Sequence, residues 1–303
     1  MSATFQTRTL THCLACDADR LNDFPMRYLW RDHEFPAAEC PWCGMRSLRV
    51  QPVGETLASM YSAEYFEVDF RCGRSDTNSF DEAAFRAENA GLLDAFERYR
   101  GKGRLLEVGC ASGWLLKHAA ERGWQVTGVE LSPEAAAHAK SLGVDVHVGA
   151  LEDVTLPAGG FDLIYMGDVL EHVPDCRDTA SRVAALLAAG GHYYLRGPIT
   201  TNSIARQLAL GAYGLVGASI TLREPPYHLW EFTPTSLRRL MGKVGLGVVE
   251  MREAKIAPGS AQGRKRGLQR AVMAAIDGLN VPITSSLNWF GDRVVMVARR
   301  PQG

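Results

Sequence analysis

The sequence predicts an α/β protein: a doubly wound parallel sheet, preceded by a small cysteine-rich module. Two observations carry this prediction. Short apolar strands alternate with helices between residues 101 and 300, and two Cys-x-x-Cys pairs lie within the first 43 residues. Strand–helix alternation calls for parallel strands joined by helical crossovers. The first 53 residues show few periodic apolar positions, so we expect an irregular segment held together by a metal ion.

A helix is predicted before the sheet. Apolar and small side chains recur at alternating spacings of four and three, which places them on one helical face. The positions are Phe85, Asn89, Leu92, Phe96 and Tyr99.

Five strands and three helices follow. Apolar or β-branched runs predict strands at 104–109, 125–131, 145–149, 161–169 and 192–196, and helices are predicted at 114–122, 134–142 and 179–189. The second of these helices has the clearest ends, because Ser132 can cap it, Pro133 suits its first position and Gly143 follows its last turn. We expect Gly190-Gly191 to end the third helix.

The alternation is interrupted at 200–231 and then resumes. A helix capped by Thr233 ends before Gly245, and strands are predicted at 246–253 and 292–299, with a helix at 271–279. Within the interruption, apolar residues alternate with glycines, which predicts an apolar lid over an acceptor pocket. Plain helical packing explains them equally well. These residues are Leu208, Leu210, Tyr213, Leu215, Val216 and Ile220.

The stretch 105–114 is the most informative. A buried strand runs into a glycine turn that opens a helix, and glycines there let the backbone approach a ligand closely. Glu130 ends the next strand, 21 residues after Gly109, where a carboxylate can accept the hydroxyl protons of a ribose. Glu107 lies within the first strand, where a buried carboxylate is costly without a partner.

The run Glu107-Val108-Gly109-Cys110-Ala111-Ser112-Gly113 resembles motif I of class I S-adenosylmethionine (SAM)-dependent methyltransferases, with Ala111 in place of the middle glycine. Its glycine spacing does not fit the dinucleotide fingerprint, which disfavours NAD. The stretches 126–133, 148–153, 161–174 and 227–245 are similar to further segments of this family. The resemblance implies a Rossmann-like, seven-stranded sheet whose last strand is antiparallel.

The same resemblance implies which residues contact SAM. They are Tyr65, Glu107, Gly109, Cys110, Ala111, Gly113, Glu130, Leu131, Leu151, Glu152 and Asp168. Many relatives carry an acid where this sequence has Ala150, so Glu152 or a backbone N–H is left to recognise adenine. Asp168 is expected near the methionine end of the cofactor, and Cys110 is expected to contribute its backbone.

The paired cysteines Cys13, Cys16, Cys40 and Cys43 have the spacing of a zinc ribbon or treble-clef-like knuckle. Four thiolates leave no open coordination position, so we expect a structural zinc ion. Gly44 permits the turn under the metal, whereas Asp17 makes the first knuckle a weaker match. Redox-active or free thiols are the alternative, and His12 or His33 could replace one ligand.

Such a module followed by Tyr61-Ser62-Ala63-Glu64-Tyr65 resembles bacterial methyltransferases that tailor glycans, nucleotide sugars and secondary metabolites. In that group the tyrosine segment often folds over the cofactor, although it could equally pack as a linker. We therefore expect a zinc module at 1–55, a linker and helix at 56–100, and a methyltransferase domain at 101–303 with an acceptor-site insertion at 200–231.

Two histidines are candidates for removing a proton from a hydroxyl acceptor. His172 follows the fourth strand, at the edge of the sheet where such folds bind ligands. His228 lies beside Tyr227 in the insertion. The competing explanation for His172 is a structural role, since the Glu-His pair occurs in relatives with different acceptors.

The amino-acid composition limits the classes of molecule that this protein is expected to bind. The formal net charge is -1, with 33 basic and 34 acidic residues, which disfavours DNA and makes RNA a weaker choice than a small-molecule or glycan acceptor. An RNA methyltransferase and a catalytically silent SAM-binding protein remain alternatives. An RNA methyltransferase could bind RNA through the basic cluster of Arg264, Lys265, Arg266 and Arg270. The N-terminus lacks a signal-peptide core and no apolar run could span a bilayer, so a cytoplasmic protein is expected.

Overall fold

The computed structural model describes residues 5–61, 82–255, 278 and 280–302. Several predicted features lie outside these residues: Tyr65, the basic cluster around Arg264, and nearly all of the predicted helix at 271–279.

The main domain is built on a seven-stranded sheet. Its strands are β6 (Arg104–Val108), β7 (Gln125–Glu130), β8 (Asp145–Val148), β9 (Phe161–Gly167), β10 (Leu187–Pro198), β13 (Gly247–Ala254) and β14 (Arg293–Arg299). They lie in the order β13-β14-β10-β9-β6-β7-β8. The pairs from β10 to β8 are parallel, whereas β14 is antiparallel to both β10 and β13. The predicted doubly wound sheet with an antiparallel last strand is confirmed.

Helices cover the sheet, and their ends follow the capping residues in the sequence. The helices are α1 (Gly54–Ala58), α2 (Glu82–Arg100), α3 (Trp114–Glu121), α4 (Pro133–Ser141), α5 (Cys176–Leu186), α6 (Ile204–Leu215) and α7 (Pro234–Lys243). The Ser132 hydroxyl accepts the Ala135 N–H at 3.2 Å. Thr233 and Ser236 form a reciprocal capping box at the start of α7.

Strand β10 begins earlier than the sequence suggested. We expected a helix up to residue 189, but α5 ends at Leu186 and β10 starts at Leu187. Leu187 is buried and pairs with Phe161 before a shift in register. Gly190 and Gly191 form this irregularity: Gly190 has φ 71°, and a Cβ on Gly191 would lie 3.1 Å from the carbonyl oxygen of Phe161. The glycine pair thus bends a strand.

The N-terminal segment is not irregular, so that expectation is wrong. It contains β1 (Thr7–Thr9), β2 (Asn22–Trp30), β3 (His33–Glu39), β4 (Arg46–Leu48) and β5 (Val50–Pro52). Two short strands of the 200–231 interruption, β11 (Ile220–Leu222) and β12 (Trp230–Glu231), complete a second sheet in the order β11-β2-β3-β4-β12. The cysteine module and the insertion therefore share one sheet.

Two hydrophobic clusters fill the interior, one on each face of the main sheet. One packs α2, α3 and α4 against the sheet, with Phe96, Leu116 and Leu163 fully buried. The other continues from the opposite face into the module, where it includes Phe35 and Trp230. Because this second core is continuous, the module packs on the sheet domain.

Some of the residues predicted to form an apolar lid are buried, and others are exposed to solvent. On α6, Leu210 is buried, whereas Leu208 is 64% exposed and Leu215 is 90% exposed. This helix therefore does not pack as an ordinary core helix. Among the described residues, no helix has the length and apolar character that crossing a bilayer requires.

Candidate cofactor and acceptor site

A cavity of about 450 Å³ opens at the carboxyl edge of the main sheet. Its walls come from the glycine turn after β6, the end of β7, the loop after β8, the loop after β9, and α1. In doubly wound sheets, ligands bind in the crevice at this edge. Its volume lies in the range of small-molecule sites.

Two glycines in the turn after β6 are required by the local geometry. Gly109 has φ 75° and Gly113 has φ 81°. A Cβ on Gly109 would lie 2.5 Å from Val169, and one on Gly113 would lie 2.9 Å from the Cα of Ala139. The turn therefore needs glycine both for its backbone conformation and for its close packing.

Glu130 connects two loops beside the cavity. One carboxylate oxygen accepts the N–H of Ala111 at 2.8 Å, and the other accepts the N–H of Ser132 at 2.8 Å. Burial raises the pKa of Glu130, and the hydrogen bonds from these backbone groups oppose that rise. Each carboxylate oxygen retains a lone pair for a ligand hydroxyl.

The structure brings most of the predicted cofactor residues to the cavity wall. Those on the wall are Gly109, Ala111, Glu130, Leu131, Leu151, Glu152 and Asp168, and the catalytic candidate His172 joins them. Glu107, Cys110, Gly113 and His228 are not on the wall. Cys110 is buried, and its backbone N–H donates to the carbonyl of Val129 at 3.2 Å. The Glu152 carboxylate accepts the Thr179 hydroxyl.

The segment that follows the N-terminal module also contributes to this wall. Leu57, Ala58 and Tyr61 line the cavity from α1 and the turn after it. The Tyr61 hydroxyl lies 3.4 Å from Nδ1 of His172. In the sequence, Tyr61 and Tyr65 indicated that this segment could reach the cavity. They did not indicate that Tyr61 contacts His172.

An ion pair fixes Asp168 beside the cavity. Both of its carboxylate oxygens accept hydrogen bonds from one nitrogen of Arg293, at 2.6 and 2.7 Å. Asp168 adopts φ 55°, an unusual conformation for a residue other than glycine. Arg293 begins the antiparallel strand β14, more than 120 residues away in sequence, and no local pattern indicated this partner.

His172, on the cavity wall, lies beside His228, which is not on the wall. Their rings make an edge contact with centroids 4.8 Å apart. Nδ1 of His172 lies 3.0 Å from the carbonyl oxygen of Tyr227, so this nitrogen carries the proton and Nε2 is left as an acceptor. Nδ1 of His228 lies 3.7 Å from a carboxylate oxygen of Glu231.

The two histidines differ in their protonation. Burial lowers the pKa of His172 to about 3, and the charge of His228 adds to this effect. Burial also works against the charged form of His228, but Glu231 and Glu171 outweigh it and raise its pKa. Burial raises the pKa of Glu171 to about 7. Ligand atoms of Glu171, His172 and His228 lie within 4.8 Å of one another, an arrangement that could also hold a metal ion.

The four paired cysteines converge in the module. The sulfur atoms of Cys13 and Cys43 are 3.6 Å apart, as are those of Cys16 and Cys40, and all four lie within 4.8 Å of one another. A tetrahedral zinc ion with bonds of about 2.3 Å needs sulfur atoms about 3.8 Å apart. The donor set and its spacing therefore fit zinc.

The two knuckles have matching backbones, although their sequences differ. Gly44 donates its N–H to the carbonyl of Cys40 at 2.9 Å, and Asp17 donates to that of Cys13 at 2.9 Å. Their φ angles are 69° and 63°. Asp17 thus occupies the position of the knuckle glycine, and its carboxylate binds Lys243 at 2.6 Å as well as Arg177.

The sheet, the glycine turn and the acid at the end of β7 are the features of an α/β protein of the SAM-dependent methyltransferase class. A family model described as a methyltransferase domain matches residues 80–251. The chain therefore belongs to the methyltransferase domain family, and it is a SAM-dependent methyltransferase.

Curated relatives agree with this assignment. The chain is 30% identical to a ubiquinone biosynthesis O-methyltransferase of Cupriavidus pinatubonensis over 54% of its length and 67% of the relative's. It is 34% identical to an enzyme of the same name from Xanthomonas axonopodis pv. citri, over 47% of its length and 62% of the relative's. It therefore spans about two thirds of these relatives.

A structural neighbour is the phosphoethanolamine N-methyltransferase 2 of Haemonchus contortus, solved with SAM. The identity is 16% and the TM-score 0.50, over 84% of this chain and 63% of that one. This similarity supports the fold alone.

Glu107 provides a test of the buried electrostatics. It lies beneath the glycine turn, and one of its carboxylate oxygens has no hydrogen-bond partner among the described residues. Burial, with a contribution from Glu130, raises its pKa to about 8. An unfolded Glu has a pKa of about 4.3, so between these values the native state holds a proton that the unfolded state releases. This contribution to stability is complete below pH 4.3 and is lost as the pH rises towards 8.

Glu107→Gln should remove this pH dependence. We expect the Tm of the variant to rise relative to that of the wild type as the pH increases from 5 to 8, measured by thermal unfolding without SAM. Glu121→Gln is the control, because the pKa of this exposed carboxyl is lowered by Arg86 and it stays ionised throughout the range. A difference between Glu107→Gln and wild type that stays constant with pH would contradict the burial argument.

Proposed function

We propose that this enzyme transfers a methyl group from SAM to an oxygen atom of a small-molecule acceptor. The observation that supports this most strongly is the placement of Glu130 on the wall of a cavity that adjoins the glycine turn. The relatives named ubiquinone biosynthesis O-methyltransferase favour oxygen as the methylated atom and biosynthesis as the setting.

The cofactor would lie along the carboxyl edge. Glu130 would accept the ribose hydroxyls, and the turn at Gly109 and Ala111 would allow close approach of the backbone. Leu131 and Leu151 offer apolar contacts for adenine beside Glu152. Asp168 lies on the same wall, after the next strand of the sheet, and its carboxylate suits the ammonium group of the methionine end. Tyr65 lies outside the described residues, and its role stays a prediction.

Glu130→Ala should weaken SAM binding at least about tenfold, because charge-assisted hydrogen bonds are worth about 1.5–3 kcal/mol. Calorimetry with S-adenosylhomocysteine measures this affinity without turnover. Asp145→Asn is the matched control, since this exposed acid begins β8 at the opposite edge of the sheet. An unchanged affinity of Glu130→Ala would refute the ribose role.

Bound SAM supplies an activated methyl group, so the protein mainly positions the acceptor and removes its proton. We assign proton removal to Nε2 of His228, because its ring contacts that of His172 on the cavity wall and its Nδ1 lies beside Glu231. Glu231 and Glu171 also raise the pKa of this histidine. The low pKa of His172 makes it a weak base. Its Nε2 would instead accept a hydrogen bond from the acceptor hydroxyl.

A screen for methyl transfer tests both the reaction and these roles. The enzyme would be incubated with SAM and a panel of phenols, catechols and monosaccharides, and products would be sought by mass spectrometry as a gain of 14 Da. His228→Asn should lower kcat by about 10²- to 10⁴-fold, the usual contribution of a general base. His172→Asn should act mainly on KM.

His147→Asn is the control, since this histidine lies on β8, an edge strand of the main sheet, and belongs neither to the cavity wall nor to the pair of His172 and His228. If His228→Asn kept the wild-type kcat, the general-base assignment would be wrong. If no member of the panel gained a methyl group while SAM still bound, the catalytically silent alternative would gain support.

The finer identity of the acceptor is also a proposal. The exposed apolar residues Leu208 and Leu215 on α6, within the insertion at 200–231, favour an acceptor with apolar character, and a glycan-linked acceptor stays a prediction. The RNA alternative rests on the basic cluster around Arg264, which lies outside the described residues. The near-zero net charge still ranks it below a small molecule.

We further propose that Cys13, Cys16, Cys40 and Cys43 bind a structural zinc ion, and that residues 1–55 form the zinc module. The ion would hold the two knuckles together and leave no position for a substrate. Because β11 and β12 of the insertion pair with strands of the module, the zinc ion would also stabilise the fold of the insertion.

Elemental analysis of the purified protein should give about one zinc ion per chain. Cys40→Ser should lose the ion and lower the Tm, because structural zinc contributes directly to folding. Cys176→Ser is the control: this cysteine is buried at the start of α5 and is not one of the four. If the purified protein folded normally without any zinc, the assignment of a structural zinc site would be wrong.

A further inference from the structure

A second cavity, of about 520 Å³, lies at the same edge of the molecule but shares no wall residue with the cofactor cavity. It lies between the second cysteine knuckle, the start of α7, and the turn before β14. We call it the tryptophan groove, after Trp42 and Trp289 on its walls. Neither the relatives nor the proposed methyl transfer explains it.

The two indole rings are unusually exposed. Trp42 is 68% exposed and Trp289 is 61% exposed. Burying an indole stabilises a protein strongly, so two such rings facing one groove are more informative than scattered apolar residues. Both are presented on constrained turns. Trp42 lies between Cys40 and Cys43 of the knuckle, where Thr233 donates its hydroxyl proton to the carbonyl of Cys43 at 2.8 Å.

Trp289 is held outward by hydrogen bonds on both sides. The side chain of Asn288 accepts the N–H of Glu253 at 2.5 Å and donates to the carbonyl of Met251 at 3.1 Å. The carbonyl of Phe290 accepts from Asn280 at 2.9 Å. The backbone on both sides of Trp289 is thus fixed before a ligand binds, which lowers the ordering cost of binding.

Two groups of opposite charge, Glu253 and Arg238, also line the groove. One oxygen of Glu253 accepts from Asn202 at 2.8 Å and from the N–H of Gly291 at 2.9 Å. Its other oxygen has no donor among the described residues. Arg238 is exposed, lies close enough for its charge to act on Glu253, and has no hydrogen-bonded partner in the described part of the chain.

This combination selects among ligands. The carboxylate of Glu253 repels a phosphate or another anion, and the guanidinium of Arg238 repels a cation. A purely apolar ligand would leave both groups desolvated without partners. A neutral ring that carries many hydroxyl groups can interact with the carboxylate, the guanidinium and the indole rings of the groove at the same time. Its hydroxyls donate to the carboxylate and accept from the guanidinium, and its C–H faces pack on the indoles.

We propose that the tryptophan groove binds a saccharide, at a site separate from the one where methyl transfer occurs. The volume of the groove is that of a small-ligand site. The bound sugar could belong to the acceptor or to another molecule, and the site itself does not depend on the proposed methyl acceptor.

An array of immobilised neutral and acidic oligosaccharides tests the proposal with the full-length protein. We expect the wild type to bind at least one neutral oligosaccharide, and Trp289→Ala and Trp42→Ala each to weaken that binding at least tenfold. Arg238→Gln should weaken it as well. Val249→Ala is the control, since this residue is 54% exposed on β13 and does not line the groove.

Calorimetry with S-adenosylhomocysteine is run on every variant to confirm folding. Because the two cavities share no residue, it also separates failure of this proposal from failure of the proposed function. Binding to no oligosaccharide, binding to acidic ones alone, or equal binding by the tryptophan variants would each overturn the saccharide site.

Discussion

The cavity at the carboxyl edge of the main sheet depends on the two hydrogen bonds that Glu130 accepts from backbone N–H groups. They tie the glycine turn after β6 to the loop after β7, so the two loops that border the cavity keep a fixed separation. The parallel sheet makes this possible, because it brings the carboxyl ends of neighbouring strands together. Without the acid, both N–H groups would lose their acceptor and the turn its anchor.

The second organising constraint is the sheet that the N-terminal module shares with the insertion. Strands β11 and β12 come from residues around 220 and 230, yet they pair with β2 and β4 near residues 26 and 47. The module is therefore attached to the segment 200–231. This explains how Tyr61, which follows the module, reaches His172, and how Trp42 comes to face a groove that Trp289 also lines.

Burial and neighbouring acids set the charge of His172 and His228. Desolvation keeps His172 neutral, whereas the acids around His228 favour its charged form. Two neighbouring histidines can thus play different parts in one site. Asp168 stays paired with Arg293 across the sheet, which fixes an acid at the cavity wall without leaving its charge uncompensated.

The sequence by itself determined the main sheet, the glycine turn, Glu130 and the cysteine knuckles, because these depend on local spacing and on caps such as Ser132. Only the tertiary structure decided the strands of the module, the partner of Asp168, the place of Tyr61 and the tryptophan groove. Each of these joins residues far apart in the chain. Such pairings depend on the packing of whole elements, and a single sequence carries no local pattern for them.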